Sequence, residues 1–172
     1  MLISDDYRQL NRDLHGGGLY GRRGDKWLEA VQFLVRRFNP ETILDYGCGQ
    51  GALGRGLDRP IAEYDPAIEG KEALPQPADL VICTDVIEHI EPELIDGVLD
   101  HLQSLSKRCL FAVISTRPAS KFLADGRNAH LIVEPWEWWR EKIVRRFHIA
   151  KQVVEPTQVK LVLTPLRDEA AD

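Results

Sequence analysis

The chain has 172 residues, enough for one domain and with little length to spare for a second. At 44% hydrophobic and 28% charged, with 13 Gly and 10 Pro, it is not a collagen-like, low-complexity or wholly disordered chain. The net charge of −5 argues against a general nucleic-acid coat and leaves room for local basic patches.

The three cysteines (Cys48, Cys83, Cys109) form no CxxC and cannot all pair, which favours a reducing compartment. The first ten residues, MLISDDYRQL, are acidic where a signal peptide would be basic, and no apolar run nears the roughly 18 residues of a membrane span. The expectation is a cytoplasmic protein with no membrane partner. Its oligomeric state is left open.

In chain order, Asp5–Gly24 is polar, and its second half, HGGGLYGRRG from His15, is too glycine-rich for a regular element. Residues 1–25 are therefore assigned to a lid or cap, 26–166 to the core and 167–172 to a tail of a single domain. Lys26–Phe38 spaces Trp27, Ala30, Val31, Leu34 and Val35 at helical intervals, and Asn39-Pro40 ends that helix. Thr42–Tyr46 reads as a buried strand, Gly51–Leu57 as a short helix and Ile61–Asp65 as a second strand. Leu80–Val86 is a third strand, Glu93–Leu105 an amphipathic helix and Cys109–Thr116 a fourth strand. After a polar loop, Glu134–Phe147 reads as a helix, with Trp136 and Trp139 on its packing face and Trp138 elsewhere. Ile149–Val154 and Val159–Pro165 flank Glu155-Pro156-Thr157 as an antiparallel hairpin. Strands alternating with helices predict an α/β fold with a mostly parallel sheet, covered on both faces.

The strongest signal is ILDYGCGQGALG, Ile43–Gly54. A buried strand delivers Asp45 to its carboxyl end, Gly47, Gly49 and Gly51 follow at alternate positions, and a helix begins. Glycine permits the sharp turn and lets a ligand approach the main chain. The helix start offers unpaired N–H groups, and ligands of open α/β sheets bind beyond the carboxyl ends of strands. The glycines alone also fit a dinucleotide fingerprint. Asp45 decides against it, because a carboxylate two residues before the first glycine repels a pyrophosphate and favours a cation. Twenty residues on, Asp65 ends the second strand and suits ribose hydroxyls. Together they describe a nucleoside carrying an ammonium and a sulfonium.

DYGCGQG, the second-strand YDP and CTDVIEHIEP resemble, in order, the motifs of the class I S-adenosylmethionine-dependent methyltransferases. The resemblance implies a Rossmann-like doubly wound sheet with S-adenosylmethionine as cofactor. Asp45, Tyr46, Gly47, Cys48, Gly49 and Gly51 would hold its methionine portion, Asp65 and Pro66 its ribose side, and Thr84, Asp85 and Val86 would border cofactor and acceptor. One departure stands out. Only Pro66–Ala78 separates the second strand from the next, too short for a βαβ crossover. The third edge strand should be missing or reduced, giving about six strands in the family order 2-1-4-5-7-6, and Glu72–Pro75 is left to line an open adenine pocket.

On the acceptor side, His89 has the pKa range of a general base, with Glu88 to orient it. The loop DGRNAH (Asp125–His130) gathers Arg127, suited to a phosphate or carboxylate, and His130. It resembles a subgroup of small bacterial and phage-type methyltransferases. Against this stand plain alternatives: polar turns around Glu88-His89, and an Asp125–Arg127 pair within a self-folded loop. The expected catalytic residues are His89, His130 and Arg127, with no metal, and the expected acceptor is a small polar molecule, with an anionic group as the preferred case. Asp85, Glu88, His89 and His130 also resemble, loosely, the cation-binding set of Hen1-type RNA 2′-O-methyltransferases, which carry Glu where this chain has Asp85. That alternative, nucleic-acid methylation served by Trp138 and the basic run Arg140–Arg146, is ranked lower, beside a non-catalytic cofactor-binding fold.

Overall fold

A computed structural model describes residues 2–16 and 24–167. The first element is one that the polar composition of the N-terminus concealed. Helix α1 spans Asp5–Gly16, with Ser4 at its start, where the Ser4 hydroxyl accepts the Tyr7 N–H at 3.2 Å. Its apolar residues Tyr7, Leu10 and Leu14, joined by Ile3 just before the helix, fall on one stripe and pack against Leu123 and Leu131. The glycine-rich segment assigned to a lid lies outside the described residues from Gly17 to Arg23.

A short 3₁₀ turn, Gly24–Trp27, leads into α2, Leu28–Phe38, so the regular helix starts two residues later than its apolar spacing predicts. Asn39 ends it in the left-handed region (φ 40°), donating its N–H to the Val35 carbonyl. The strands follow as β1 (Ile43–Tyr46), β2 (Ala62–Tyr64), β3 (Ala78–Thr84), β4 (Ser106–Ser115), β5 (Phe147–Glu155) and β6 (Gln158–Pro165). Between them lie α3 (Ala52–Gly56), α4 (Ile95–Leu105) and α5 (Trp136–Ile143). Helix α5 is shorter than the predicted Glu134–Phe147 because Pro135 fixes its start and the chain turns at Val144.

The six strands form one sheet in the order β2-β1-β3-β4-β6-β5. β2, β1, β3 and β4 run parallel, and β6 pairs antiparallel with both β4 and β5. This is the family order with its third strand absent, as the short β2–β3 connection predicts. Strand alternation sends β4 residues to two separate cores. Cys109, Phe111 and Val113 pack with Val31, Leu34 and Val35 of α2, while Leu110, Ala112 and Ile114 pack with α4 and α5. The architecture is thus an α/β doubly wound sheet with an antiparallel C-terminal hairpin. No helix among the described residues is long and apolar enough to cross a membrane.

The tryptophans divide as their spacing predicts. Trp136 and Trp139 are buried against the sheet, whereas Trp138 is half-buried with the Lys142 ammonium 4.9 Å from its ring centre. Lys142 and Arg146 form ion pairs with Asp96 and Asp100 of α4, so these members of the basic run join two helices. Trp139→Ala should cost about 3–5 kcal/mol in denaturant unfolding, the range for deleting a fully buried large aromatic. A loss below about 1 kcal/mol would show that the α5 face of the core is not anchored there.

Candidate functional site

All four residues of β1 are buried, and the strand ends in a loop that only glycine can follow. Gly47 (φ 77°), Gly49 (φ 51°) and Gly51 (φ 71°) all occupy the left-handed region. The N–H groups of Gly47 and Cys48 both donate to the Tyr64 carbonyl, at 2.8 and 3.1 Å, tying the loop to the end of β2. A side chain at Gly47 would also run into Val86, across the cleft mouth. Asp65 completes the loop: one carboxylate oxygen accepts the Gly49 N–H and the other the Ala67 N–H, each at 2.9 Å. The residue read from sequence as a ribose ligand is therefore also a brace of the glycine loop. Each oxygen retains acceptor capacity beyond that bond.

A cleft of about 450 Å³ opens across the carboxyl ends of the parallel strands, within the size range of small-molecule sites. Asp45 and Asp65 both line it, with Gly47, Cys48, Gly49 and Pro66. Thr84, Asp85, Val86, His89 and His130 line the same cleft. Three predicted site residues are not among the lining residues. Tyr46 alternates to the other face of β1, where its hydroxyl lies 3.1 Å from His101 Nδ1 and its ring packs on Tyr64. Gly51 sits behind the loop as the residue preceding α3. Arg127 is ion-paired with Asp125 at 2.7 Å, and its guanidinium lies over the Tyr7 ring. The Glu72–Pro75 segment is also absent from the lining; Pro66 and Ala67 take that side, because the chain turns back immediately after β2.

The donor side is strongly acidic. Asp45 is 5% exposed and its pKa is pushed up to about 7, first by burial, then by the neighbouring Glu63 carboxylate, with Asp65 adding and Lys71 opposing. A cation entering the cleft relieves that repulsion, so the site suits a positively charged ligand and disfavours a pyrophosphate.

At the tip of β3, Asp85 adopts φ 55°, unusual for a residue with a side chain. Its carboxylate accepts the Trp27 indole N–H at 2.9 Å and pairs with Lys26 at 2.7 Å. Asp85 therefore turns toward the 3₁₀ turn before α2 and does not join the Glu88–His89–His130 group. Those three each bring one ligand-type atom within 4.8 Å of the others. Glu88 is fully buried, with one oxygen accepting the Ser115 N–H at 3.0 Å and the other without a hydrogen-bond partner among the described residues. Burial, then Asp85, pushes its pKa up to about 8.

His89 and His130 meet edge to face, ring centres 4.6 Å apart. Nδ1 of His89 lies 2.7 Å from the Ala129 carbonyl and Nδ1 of His130 lies 2.6 Å from the Arg117 carbonyl. A carbonyl only accepts, so each Nδ1 carries a proton, and the neutral form of each ring has its lone pair on Nε2. Burial lowers the His130 pKa, which favours its neutral form. The DGRNAH loop folds on itself, as its plainer reading predicted. Asn128 bonds the Ala119 N–H and carbonyl, each at 2.9 Å, and delivers His130 to the cleft.

Sequence reasoning missed Tyr7 and Asn11 on α1, and Lys26, all of which line the cleft. Helix α1 is held by Ser4, whose N–H and hydroxyl both donate to Glu91, and by Tyr7, whose hydroxyl donates to the His89 carbonyl at 2.5 Å. The Ile3-Tyr7-Leu10-Leu14 spacing was the available signal.

A family model described as a methyltransferase domain matches residues 20–154. The chain belongs to that methyltransferase family. Its fold is similar to magnesium protoporphyrin IX methyltransferase from Synechocystis PCC 6803 with bound S-adenosylhomocysteine (18% identity, TM-score 0.61, covering 81% of this chain and 82% of that one). It is also similar to 1,6-didemethyltoxoflavin-N1-methyltransferase from Burkholderia thailandensis (15%, TM-score 0.63, 97% and 92%) and to an rRNA methylase from Escherichia coli (14%, TM-score 0.55, 95% and 78%). At these identities the likeness establishes the fold. No curated protein sequence matches the methyltransferase chain.

A carboxyl whose folded pKa exceeds its unfolded value binds more protons when folded, so it costs stability as pH rises from about 4 toward 7. Thermal melts of the free methyltransferase should therefore fall between pH 5 and pH 8, and Asp45→Asn should flatten that decline and melt higher than wild type at pH 8. An unchanged slope in the variant would contradict the burial of a strained carboxylate at this position.

Proposed function

We propose that this methyltransferase takes its methyl group from S-adenosylmethionine and delivers it to a small polar acceptor carrying an anionic group. The observation that carries this reading is that Asp45 and Asp65, from the ends of two adjacent strands, line one cleft together with His89 and His130. S-adenosylmethionine supplies a methyl group already activated on a sulfonium, so the protein must chiefly align the acceptor and exclude water. Asp45 and the backbone of Gly47–Gly49 hold the methionine end, and Asp65 with Pro66 holds the ribose. Thr84 and Val86 border the donor and acceptor sides. His89 and His130, each with its lone pair on Nε2, are placed to take the acceptor's proton. Arg127 is not carried forward, since it is ion-paired outside the cleft; Arg117, which lines the cleft, takes the anionic group in its place. Helix α1 covers this side and restricts it to small acceptors.

A second reading, metal-assisted methylation of a hydroxyl such as an RNA 2′-OH, is favoured by one observation. Glu88 has a buried oxygen without a hydrogen-bond partner among the described residues, beside His89 and His130. Two imidazoles and a carboxylate suit Mn²⁺, Fe²⁺ or Zn²⁺, and a cation there would stabilise an acceptor oxyanion. The donor set fits, with both Nδ1 atoms oriented by backbone carbonyls in the manner of metal-ligating histidines. The ion pairs that consume Lys142 and Arg146 count against the nucleic-acid surface this reading needs.

The test is transfer of labelled methyl from S-adenosylmethionine to pooled metabolites, RNA or DNA, with and without EDTA. Label in an anionic metabolite fraction, insensitive to EDTA, supports the first reading; label in RNA, lost with EDTA and restored by Mn²⁺, supports the second and overturns the first. In calorimetry, Asp65→Ala should weaken donor binding about tenfold or more, the scale of a lost hydrogen bond to a charged group. Unchanged affinity would remove Asp65 from the site.

A further inference from the structure

The shortened β2–β3 connection does more than omit a strand. It brings Lys71 back beneath the glycine loop, where its ammonium lies 2.7 Å from Glu63 and 3.4 Å from the Gly49 carbonyl. The turn is fixed by two backbone bonds, the Lys71 N–H donating to Ile68 at 3.0 Å and the Asp65 N–H donating to the Lys71 carbonyl at 3.0 Å. A side chain at Gly51 would sit 2.5 Å from a Glu63 oxygen and 2.9 Å from the Lys71 nitrogen, and one at Gly54 would sit 2.7 Å from the same oxygen. The Glu63–Lys71 pair therefore fills the space that those two glycines leave, and loop, strand and connection meet at one ammonium.

We propose that Lys71 is a positioning residue for the methyl donor: it ties the glycine loop to β2 and supplies the positive charge beside which the carboxylates of Asp45, Glu63 and Asp65 gather, Asp45 and Asp65 lining the cleft. This rests on the donor reading given above and adds to it a residue that does not line the cleft. The charge arrangement carries the inference. Facing Asp45 are Glu63 from β2, Asp65 and Lys71 from the connection, and the Cys48 and Cys83 thiols, both kept neutral by burial. Among these groups Lys71 is the cation. It opposes both burial and the two neighbouring acids in setting the Asp45 charge. Because it contacts the glycine loop and β2 and does not line the cleft, its effect should appear in donor binding and not in acceptor recognition.

The experiment compares wild type, Lys71→Met and Lys71→Arg. In the free protein, carbon-detected NMR titration of the Asp45 carboxyl reads the charge directly. Calorimetry with S-adenosylmethionine between pH 6 and pH 8 reads its consequence. The Asp45 titration midpoint should rise in Lys71→Met and remain near wild type in Lys71→Arg. Donor affinity at pH 7 should fall about tenfold in Lys71→Met, with the loss shrinking toward pH 8, as expected when one opposite charge within a few ångströms is removed. A Lys71→Met protein with wild-type midpoint and affinity overturns the proposal. So does an equal, pH-independent loss in both variants, which would mark Lys71 as a packing element only. If wild type itself binds no S-adenosylmethionine, the donor reading fails, while the NMR midpoints still decide the role of Lys71.

Discussion

The structure depends on a crowding of negative charge at the carboxyl ends of two neighbouring strands. Asp45 is buried at the tip of β1, Asp65 is buried just past β2, and Glu63 lies beside them against Lys71. Such an arrangement is unfavourable in an empty protein, because burial and like charges both oppose ionisation. A ligand carrying its own positive charge offsets that cost. The glycine loop then has two tasks. It leaves room for Val86 at Gly47 and for the Glu63–Lys71 pair at Gly51, and it directs backbone N–H groups to the Tyr64 carbonyl and to Asp65, so that the loop is held by one of the acids that line the cleft.

The rest of the fold serves to hold that rim still. The parallel strands β2, β1, β3 and β4 bring their carboxyl ends to one side, and the two separate cores fix the sheet from both faces. The histidine part of the lining is built from sequence-distant pieces: the turn after β3 supplies His89, with Glu88 buried behind it, and the self-folded DGRNAH loop supplies His130. Helix α1 docks over both through Ser4 and Tyr7, making the acceptor side narrower than the core alone would be.

Much of this was legible in the chain. Strand order and the missing edge strand followed from motif order and from the length of Pro66–Ala78, since no crossover fits in that span. Gly47, Gly49, Asp45 and Asp65 come together at one cleft because strand-end and glycine-turn chemistry is local. What failed was non-local. Tyr46 was assigned to the cleft by adjacency, although strand alternation turns it to the opposite core. Arg127 was assigned by its chemistry, although its nearest carboxylate, Asp125, was two residues away and captured it. Asp85 was grouped with Glu88 and the histidines by spacing, but Trp27 and Lys26, some sixty residues earlier, hold it elsewhere. Helix α1 was lost in polar composition although Tyr7, Leu10 and Leu14, with Ile3 just before them, are helically spaced. Lys71 carried no motif at all; its place follows from a turn that only the folded chain reveals.

Amide-resolved NMR during titration with S-adenosylmethionine tests the central claim most directly. Saturable shifts should concentrate at Gly47, Cys48, Gly49, Asp65 and Ala67, with the far end of the β5–β6 hairpin, His148–Lys151 and Leu163–Thr164, unmoved. Saturable shifts confined to other surfaces, or none at those five positions at millimolar donor, would contradict the account.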